Sequence, residues 1–221
     1  MTPNDIVIIN NFISDHDIKF FIDYIDKNCK NENLFRKRIG VAYGKGVAYR
    51  AIFPDEKPAT LYKEIENKIS FYSDLFLKEI KKITNTKNYF YGVSITKLSE
   101  DIHFRIHKDV HNTLTSLKYS GVLYLNDNYN GGEISFLEEF NPTSNFPLYD
   151  KSMGGFCYKP TSKDMVIFPS NKWHGGTKVS DGDRYSIIFW STEDEKYQFK
   201  GFDSDVVWDR VEEKILNDYS R

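Results

Sequence analysis

The chain has 221 residues, of which 40% are hydrophobic and 28% are charged, and its formal net charge is −2. This composition excludes an intrinsically disordered chain, and the length suffices for one sizeable core, so we expect one domain over residues 1–221. Because the charges nearly balance and no apolar run approaches the roughly 20 residues of a membrane span, we expect neither a nucleic-acid nor a membrane partner.

Two helices are predicted in the first part of the chain. Ser14 can cap the first helix, whose apolar positions recur at helical spacing: Ile18, Phe21, Ile22 and Ile25. The second helix follows Pro58, which suits a first turn, and ends near Thr84. Its apolar stripe consists of Leu61, Ile65, Ile69, Tyr72, Phe76 and Ile80. Glycines and basic residues interrupt residues 35–54, which predicts a mobile loop or β-ribbon, within a helical support over about residues 12–84.

A strand-rich region follows, over about residues 89–191, in which the hydrophobic period changes to two. The predicted strands are Tyr91–Leu98, Ile102–Asp109, Leu117–Leu125, Glu133–Phe136, Asp164–Phe168 and Arg184–Trp190. Helices followed by many strands without intervening helices predict an α+β arrangement in which the sheets form a sandwich or barrel. A closing helix is predicted over about residues 203–217, from apolar residues at helical spacing.

The two cysteines, Cys29 and Cys157, are far apart in the sequence and form no Cys-x-x-Cys pair. This spacing argues against a disulfide framework and a thiolate metal cluster, and we interpret both residues as reduced thiols. The N-terminal segment, residues 1–5, lacks the basic start and apolar stretch of a signal peptide. These features predict a cytoplasmic protein.

A metal site is suggested by the histidines between residues 102 and 110, where apolar and polar residues alternate as on a strand. Residues two apart share one face of a strand, so His107 and Asp109 can point to the same ion. The spacing of His103, His107 and His111 also fits a zinc site on a helix, although the alternation favours a strand. The roles of His103 and His111 stay open.

A third histidine, His174, lies in the glycine-rich segment 173–176, and by itself it would be interpreted as a surface imidazole in a turn. Arg184, ten residues later, changes that interpretation. Two imidazoles and one carboxylate on one side of a metal leave positions free, as iron(II) oxygenases require. His107, Asp109 and His174 are therefore the predicted metal ligands.

The last predicted strand carries Arg184 on an otherwise apolar background. Arg184, Ser186, Ile188 and Trp190 project to one side, and Tyr185, Ile187 and Phe189 project to the other. A buried guanidinium needs an anionic partner, and its planar fork matches a carboxylate. Ser186 could add a hydrogen bond, as could Tyr124 on a neighbouring strand, although Tyr124 could equally be an ordinary core aromatic.

Four segments together resemble the prolyl 4-hydroxylase-like branch of the iron(II)- and 2-oxoglutarate-dependent dioxygenases. They are Ile106–Asp109; Tyr124–Asn126 leading into Gly131–Phe136; Phe168–Pro169 before Trp173–His174; and Gly182–Ser186 closing on Trp190. The resemblance runs from about Tyr91 to Trp190. Each segment alone is unspecific, and their combination carries the resemblance.

The resemblance implies a double-stranded β-helix, or jelly roll, in which His107, Asp109 and His174 hold iron(II). It also implies that Arg184 holds the distal carboxylate of 2-oxoglutarate with help from Tyr124. The implied cofactors are iron(II), 2-oxoglutarate as co-substrate, and ascorbate as an optional addition. The implied activity is hydroxylation of a substrate, with a prolyl residue in a peptide or protein as the first candidate, and release of succinate and CO₂.

The chain departs from the family pattern at Lys97, where many members have a tyrosine facing the co-substrate, and we assign Lys97 no role. Animal collagen prolyl hydroxylases tend to have lysine in place of Arg184, which favours the oxygen-sensing and microbial members. Asp109 argues against halogenation, because halogenating relatives lack this carboxylate. Residues 35–54 and 138–156 are candidates for covering the site, with plain surface loops as the alternative.

Three other functions stay open at this point. The first is a 2-oxoglutarate oxygenase acting on a small molecule or on a different side chain. The second is a jelly-roll module that binds a metal or sugar without turnover. The third is a small zinc hydrolase, which would need a water-activating base and would give Arg184 no purpose. Neither the substrate nor the oligomeric state follows from the sequence.

Overall fold

The computed structural model describes residues 3–31, 35, 42–53, 63–110, 115–141 and 148–199. Helix α1 spans Asp15–Asn28 and helix α2 spans Lys63–Thr84, which confirms the two predicted helices. The predicted closing helix over 203–217, Pro58 and His111 lie outside the described residues. Neither described helix combines the length and the apolar character that crossing a membrane requires.

Thirteen strands lie in the described parts of the chain, and every pair between them is antiparallel. They are β1 Val7–Ile9, β2 Ala42–Tyr43, β3 Ala48–Phe53, β4 Tyr89–Leu98, β5 His103–His107, β6 Leu117–Tyr124, β7 Asn130–Gly131, β8 Ile134–Leu137, β9 Phe156–Tyr158, β10 Met165–Pro169, β11 Trp173–Gly176, β12 Val179–Asp181 and β13 Arg184–Thr192. Two single-turn 3₁₀ helices, Lys151–Met153 and Glu195–Tyr197, complete the described elements.

The strands form two main antiparallel sheets. The larger sheet has the order β1-β10-β6-β13-β4-β3, the smaller has the order β2-β5-β11-β8-β9, and β12 pairs with β7 in a short ribbon. All six predicted strands are present, with ends that agree to within two residues, and the α+β prediction is confirmed. Residues 42–53 do not form one ribbon, because β2 joins the smaller sheet and β3 joins the larger.

Both helices pack on the outer face of the six-stranded sheet, and we call this the helix side. Ser14 caps α1 by accepting a hydrogen bond from the backbone N–H of Asp17 at 3.1 Å. The helical stripes and alternate strand residues then form one apolar core, which includes Phe21, Ile25, Ile65, Ile69, Phe76, Ile187 and Phe189. Phe76 fits because the sheet has no side chain at Gly121, where a Cβ would lie 2.6 Å from the phenyl ring.

Paired charges also fasten the helix side. The Asp17 carboxylate accepts hydrogen bonds from Lys68 and from the Tyr72 hydroxyl, so it joins α1 to α2. Lys97 of β4 contacts Asp26 of α1 at 2.7 Å and Asp183 at 3.0 Å. Lys97 therefore serves helix packing and points away from the inner face of the sheet.

The opposite face of the six-stranded sheet, which we call the inner side, packs against the five-stranded sheet. A second apolar cluster joins them through Val122, Tyr124, Val166 and Phe168 on one sheet and Ile134 and Phe136 on the other. Strand β13 shows the predicted alternation, since Tyr185, Ile187 and Phe189 lie in the helix-side core. Arg184, Ser186, Ile188 and Trp190 consequently line the space between the sheets.

Candidate active site

Two histidines meet on adjacent strands of the five-stranded sheet. His107 ends β5 and His174 lies on β11, and the register places them directly opposite each other. Their ring centroids are 4.3 Å apart. His174 is buried within a strand, so the alternative of a surface imidazole in a turn is wrong.

The backbone fixes how both imidazoles are oriented. Nδ1 of His107 donates to the carbonyl oxygen of Arg105 at 2.7 Å, and Nδ1 of His174 donates to the carbonyl oxygen of Lys172 at 3.0 Å. A carbonyl can only accept, so the proton of each neutral ring lies on Nδ1. The lone pair of each Nε2 is therefore available to a ligand, which is the usual arrangement of metal-binding histidines.

Asp109 completes the group from the start of the segment that follows β5, two residues after His107. Its Oδ1 lies 3.6 Å from Nε2 of His107, and its Oδ2 lies 3.8 Å from Nε2 of His174. One ligand atom from each of the three residues lies within 4.8 Å of the others, and in the described part of the chain no other such group of His, Cys, Asp or Glu occurs. Two imidazoles and a carboxylate so placed can hold one divalent metal ion.

The electrostatics of the group favour the protonation states that a metal requires. Burial would raise the pKa of Asp109, but the neighbouring His174 and His107 and a hydrogen bond from Ser120 hold it well below its usual range. Burial lowers the pKa of His174 to about 4, with a further contribution from His107. At neutral pH the carboxylate is therefore ionised and His174 is neutral.

Strand β5 differs from the predicted regular alternation because it contains a bulge. His107 lies opposite His174 while Phe104 lies opposite Gly176, so β5 has one more residue than β11 between these pairs. The extra residue brings Phe104 to the same side as His107, and its ring packs 5.4 Å from the guanidinium carbon of Arg184. Because β5 ends at His107, Asp109 does not reach the site by strand alternation, and that part of the prediction is wrong.

The strand conformation of β5 also excludes the competing zinc site on a helix. Residues 103–107 are a strand, so His103 and His107 do not lie one above the other on a helix. His103 is buried, and its ring is not part of the group formed by the other two histidines and Asp109. His111, the third member of that hypothesis, lies outside the described residues.

Arg184 lies at the other end of the space between the sheets, where it is 4% exposed. One terminal nitrogen donates to the carbonyl of Gly132 at 3.0 Å, while Nε is buried without a hydrogen-bond partner among the described residues. A Cβ at Gly176 would lie 3.5 Å from the guanidinium, so the absence of a side chain there keeps space open in front of it. The pocket therefore offers a buried cation and room for an anion.

Tyr124 and Ser186 flank Arg184 as neighbours on β6 and β13, where they are paired in register. The Tyr124 ring lies 5.7 Å from the Arg184 guanidinium, and burial raises the pKa of its hydroxyl, which stays a neutral donor. Ser186 shares a 2.7 Å hydrogen bond with Thr96, so its hydroxyl already has a partner.

Three residues near the two centres were given no role from the sequence. The Tyr129 hydroxyl is buried without a partner in the described structure, and the Tyr129 ring and the Arg184 side chain both border Gly132. Burial raises the pKa of Tyr129 to about 12. Ser120 and Trp190 both donate to Asp109, at 2.5 and 3.1 Å. Trp190 was placed on the correct face, but no local signal connects either residue with Asp109.

Comparison with known proteins agrees with this geometry. Residues 93–192 match the family model described as the 2OG-Fe(II) oxygenase superfamily, and this segment contains His107, Asp109, His174 and Arg184. A comparison with curated proteins gives no match. The resemblance to prolyl 4-hydroxylase-like iron(II)/2-oxoglutarate dioxygenases is confirmed by this match and by the solved structures described next.

Three solved structures illustrate the likeness. A prolyl-4-hydroxylase from Pseudomonas putida is 12% identical, with a TM-score of 0.59 over 86% of this chain and 93% of that chain. A prolyl hydroxylase from Trichoplax adhaerens, in complex with a hypoxia inducible factor peptide fragment, is 16% identical, with a TM-score of 0.61 over 88% and 86%. HygX from Streptomyces hygroscopicus, with nickel, 2-oxoglutarate and hygromycin B bound, is 14% identical, with a TM-score of 0.56 over 85% and 82%. Identities this low show a shared fold and leave the substrate open.

Proposed function

We propose that the chain is an iron(II)- and 2-oxoglutarate-dependent dioxygenase whose metal ligands are His107, Asp109 and His174. The observation that carries the proposal is the convergence of these three side chains in a space between the sheets whose other end holds a buried guanidinium with an unsatisfied nitrogen. The family match over residues 93–192 supports an oxidoreductase of this class. We interpret the two facing antiparallel sheets as the double-stranded β-helix of that family.

The donor set fits iron(II). Two neutral imidazoles and one carboxylate are the ligands that non-haem iron oxygenases use, and they leave further positions of an octahedral ion free. The carbonyls of Arg105 and Lys172 keep both Nε2 atoms directed at the same point as the Asp109 carboxylate. The group therefore needs no rearrangement of its histidine tautomers to accept the ion.

Arg184 fits the distal carboxylate of 2-oxoglutarate. A buried guanidinium with an unpartnered Nε costs free energy unless an anion meets it, and a carboxylate can accept two hydrogen bonds from its fork. Tyr124 supplies a neutral hydroxyl beside it. We also propose Ser186 as a contact of the co-substrate, because a hydroxyl that shares one hydrogen bond with Thr96 can form a second one. We add Tyr129 to this set, because its buried hydroxyl also has no partner among the described residues.

The two centres have different roles in the proposed reaction. The iron, when bound, would supply the oxidative chemistry in which dioxygen converts 2-oxoglutarate to succinate and CO₂, with one oxygen atom entering succinate and the other entering the substrate as a hydroxyl group. Arg184 would orient the co-substrate through its distal carboxylate, and His107, Asp109 and His174 would hold the iron. Phe104 and Phe136, on the five-stranded sheet, help to exclude water from the space between the centres.

A prolyl residue in a peptide or protein is the substrate class that we propose. The support is the similarity to the P. putida and T. adhaerens prolyl hydroxylases together with the sequence motifs. HygX, whose structure contains hygromycin B, favours a small-molecule substrate as the second candidate. A product screen with proline-containing peptides and with small polar molecules separates the two.

The proposed function is tested by oxygen-dependent turnover of 2-oxoglutarate. With iron(II) and 2-oxoglutarate, the chain should form succinate under air and none under nitrogen. The variant His174→Ala should lose this activity. Added ascorbate should prolong turnover if it is a cofactor, as the resemblance implies. Succinate formation that is equal in the native chain and in His174→Ala, or absent from both, would exclude the proposal and favour a binding module.

A further inference from the structure

The two oxygens of the Asp109 carboxylate have different surroundings. Oδ2 accepts two hydrogen bonds, from the Ser120 hydroxyl at 2.5 Å and from the indole N–H of Trp190 at 3.1 Å. Oδ1 is the oxygen nearer to Nε2 of His107, at 3.6 Å. Oδ2, which also lies 3.8 Å from Nε2 of His174, is thus held by two donors, while Oδ1 faces His107.

The groups that hold Asp109 all belong to the six-stranded sheet or its immediate continuation. Ser120 is on β6, Trp190 is on β13, and Ser170 directly follows β10. The Ser170 carbonyl accepts from the backbone N–H of Asp109 at 3.0 Å, and its hydroxyl lies 2.8 Å from that of Ser120. The two histidines, in contrast, belong to the five-stranded sheet.

We propose that Ser120 and Trp190 are positioning residues that hold Asp109 across the gap between the sheets as a one-oxygen metal ligand. This inference rests on the proposed function and concerns the same site. Because Oδ2 is engaged by two donors, only Oδ1 is free to bind the ion, so a further coordination position stays available to other ligands. A bound ion would then connect the two histidines of the five-stranded sheet to Asp109, which Ser120 and Trp190 hold from the six-stranded sheet.

The position of Asp109 in the chain explains why these hydrogen bonds are needed. Strand β5 ends at His107, so the sheet ladder does not direct the side chain of Asp109. A carboxylate on a loop is less precisely held than one on a strand unless hydrogen bonds orient it. Ser120 and Trp190 supply that orientation from strands that are themselves central in the larger sheet.

The test uses the 221-residue chain and cobalt(II), whose visible spectrum reports the number and geometry of its ligands. Trp190→Phe and Ser120→Ala each remove one donor to Oδ2. Each should weaken cobalt(II) binding by about 10- to 100-fold and should alter the visible spectrum of the saturated site. The matched control is Ser191→Ala, because the Ser191 hydroxyl contacts Asn88 and Tyr119 and does not touch Asp109. It should leave both the affinity and the spectrum unchanged.

The outcomes separate the inference from the proposed function. A native chain that binds cobalt(II) at one site, with affinity and spectrum unchanged in Trp190→Phe and Ser120→Ala, overturns the inference alone. A native chain that does not bind cobalt(II) overturns both. Far-ultraviolet circular dichroism verifies folding, and if Trp190→Phe does not fold, Ser120→Ala decides the matter, since it removes a single oxygen atom.

Discussion

The two faces of the six-stranded sheet use buried residues in different ways. On the helix side, apolar residues such as Phe76 and Phe189 pack together, and the charges of Asp17 and Lys97 have partners that fasten one element to another. On the inner side, Arg184 keeps a buried nitrogen without a partner in the described structure, and Ser120 and Trp190 both direct hydrogen bonds to one carboxylate oxygen.

The difference indicates that the helix side stabilises the fold and that the inner side binds a ligand. Buried polar groups without partners cost free energy, so their presence on the inner side needs a reason other than folding. A metal ion at one end and a carboxylate at the other would satisfy the groups that the protein leaves unsatisfied. Substitutions on the helix side should therefore change stability alone, and those on the inner side should change ligand binding.

The largest effect on stability is expected from Phe76→Ala on the helix side. Phe76 is fully buried and contacts Phe189 with a ring-centroid distance of 5.6 Å. Removal of its ring should lower the free energy of unfolding by about 3–5 kcal/mol, measured by urea denaturation, because a cavity forms in the core. Cobalt(II) affinity of the folded variant should be unchanged. A clear loss of metal affinity with little loss of stability would break the separation of the two faces.

The next prediction compares two cationic side chains, Arg184 and Lys97, on opposite faces of the same sheet. Arg184→Met should weaken 2-oxoglutarate binding about ten- to a hundred-fold, a loss of about 1.5–3 kcal/mol, while metal affinity is retained. Lys97→Met should leave that affinity unchanged and should lower stability, because the ion pairs of Lys97 with Asp26 and Asp183 are lost. Calorimetric titration of 2-oxoglutarate into the manganese-loaded variants measures co-substrate affinity, and urea denaturation measures the free energy of unfolding. Equal co-substrate affinity in native chain and Arg184→Met would contradict the assignment.

The smallest effect is expected at Asp17, and it depends on pH. Burial would raise the pKa of Asp17, but hydrogen bonds from Lys68, Tyr72 and His16 lower it below its ordinary value. A carboxylate whose pKa is lower in the folded state stabilises the fold above its unfolded pKa, and this contribution is lost progressively as the pH falls from about 4 towards the lowered pKa. Asp17→Asn should therefore be about 1–2 kcal/mol less stable at pH 7, with a difference that shrinks on acidification.

The control for this prediction is Asp23→Asn, which removes an exposed carboxylate of the same helix whose ion pair is with Lys19. Its stability should stay within about 0.5 kcal/mol of the native value at pH 7. If the loss in Asp17→Asn were equally large at pH 3 and pH 7, ionisation of Asp17 would not be its cause.

The parts of the fold that were predictable from the sequence depend on local periodicity. The apolar stripes of α1 and α2 and the alternation in β13 identify elements because one face of each is buried. Strand β11 was not predicted, because its four residues contain two glycines and carry no alternation. The separation of β2 and β3 into different sheets is set by pairing with distant strands, which local sequence does not encode. The single domain and the cytoplasmic location stay predictions.

The site was predictable as far as its residue types and spacings allowed. His107, Asp109, His174 and Arg184 stand out because each would be costly to bury without a ligand or partner. The bulge in β5 was not predictable, since it depends on the register with β11. Ser120 was not predictable either, because a serine hydroxyl is common and its contact with Asp109 is defined only by the tertiary fold.

The central claim is that a metal centre and a guanidinium pocket together hold 2-oxoglutarate on iron. Its most direct test is to add iron(II) and 2-oxoglutarate to the chain without air and to record the visible absorption band of their chelate. We expect a band that saturates at one equivalent of each in the native chain and is absent from His174→Ala. A native chain that gives no band, or a band that persists unchanged in His174→Ala, would contradict it.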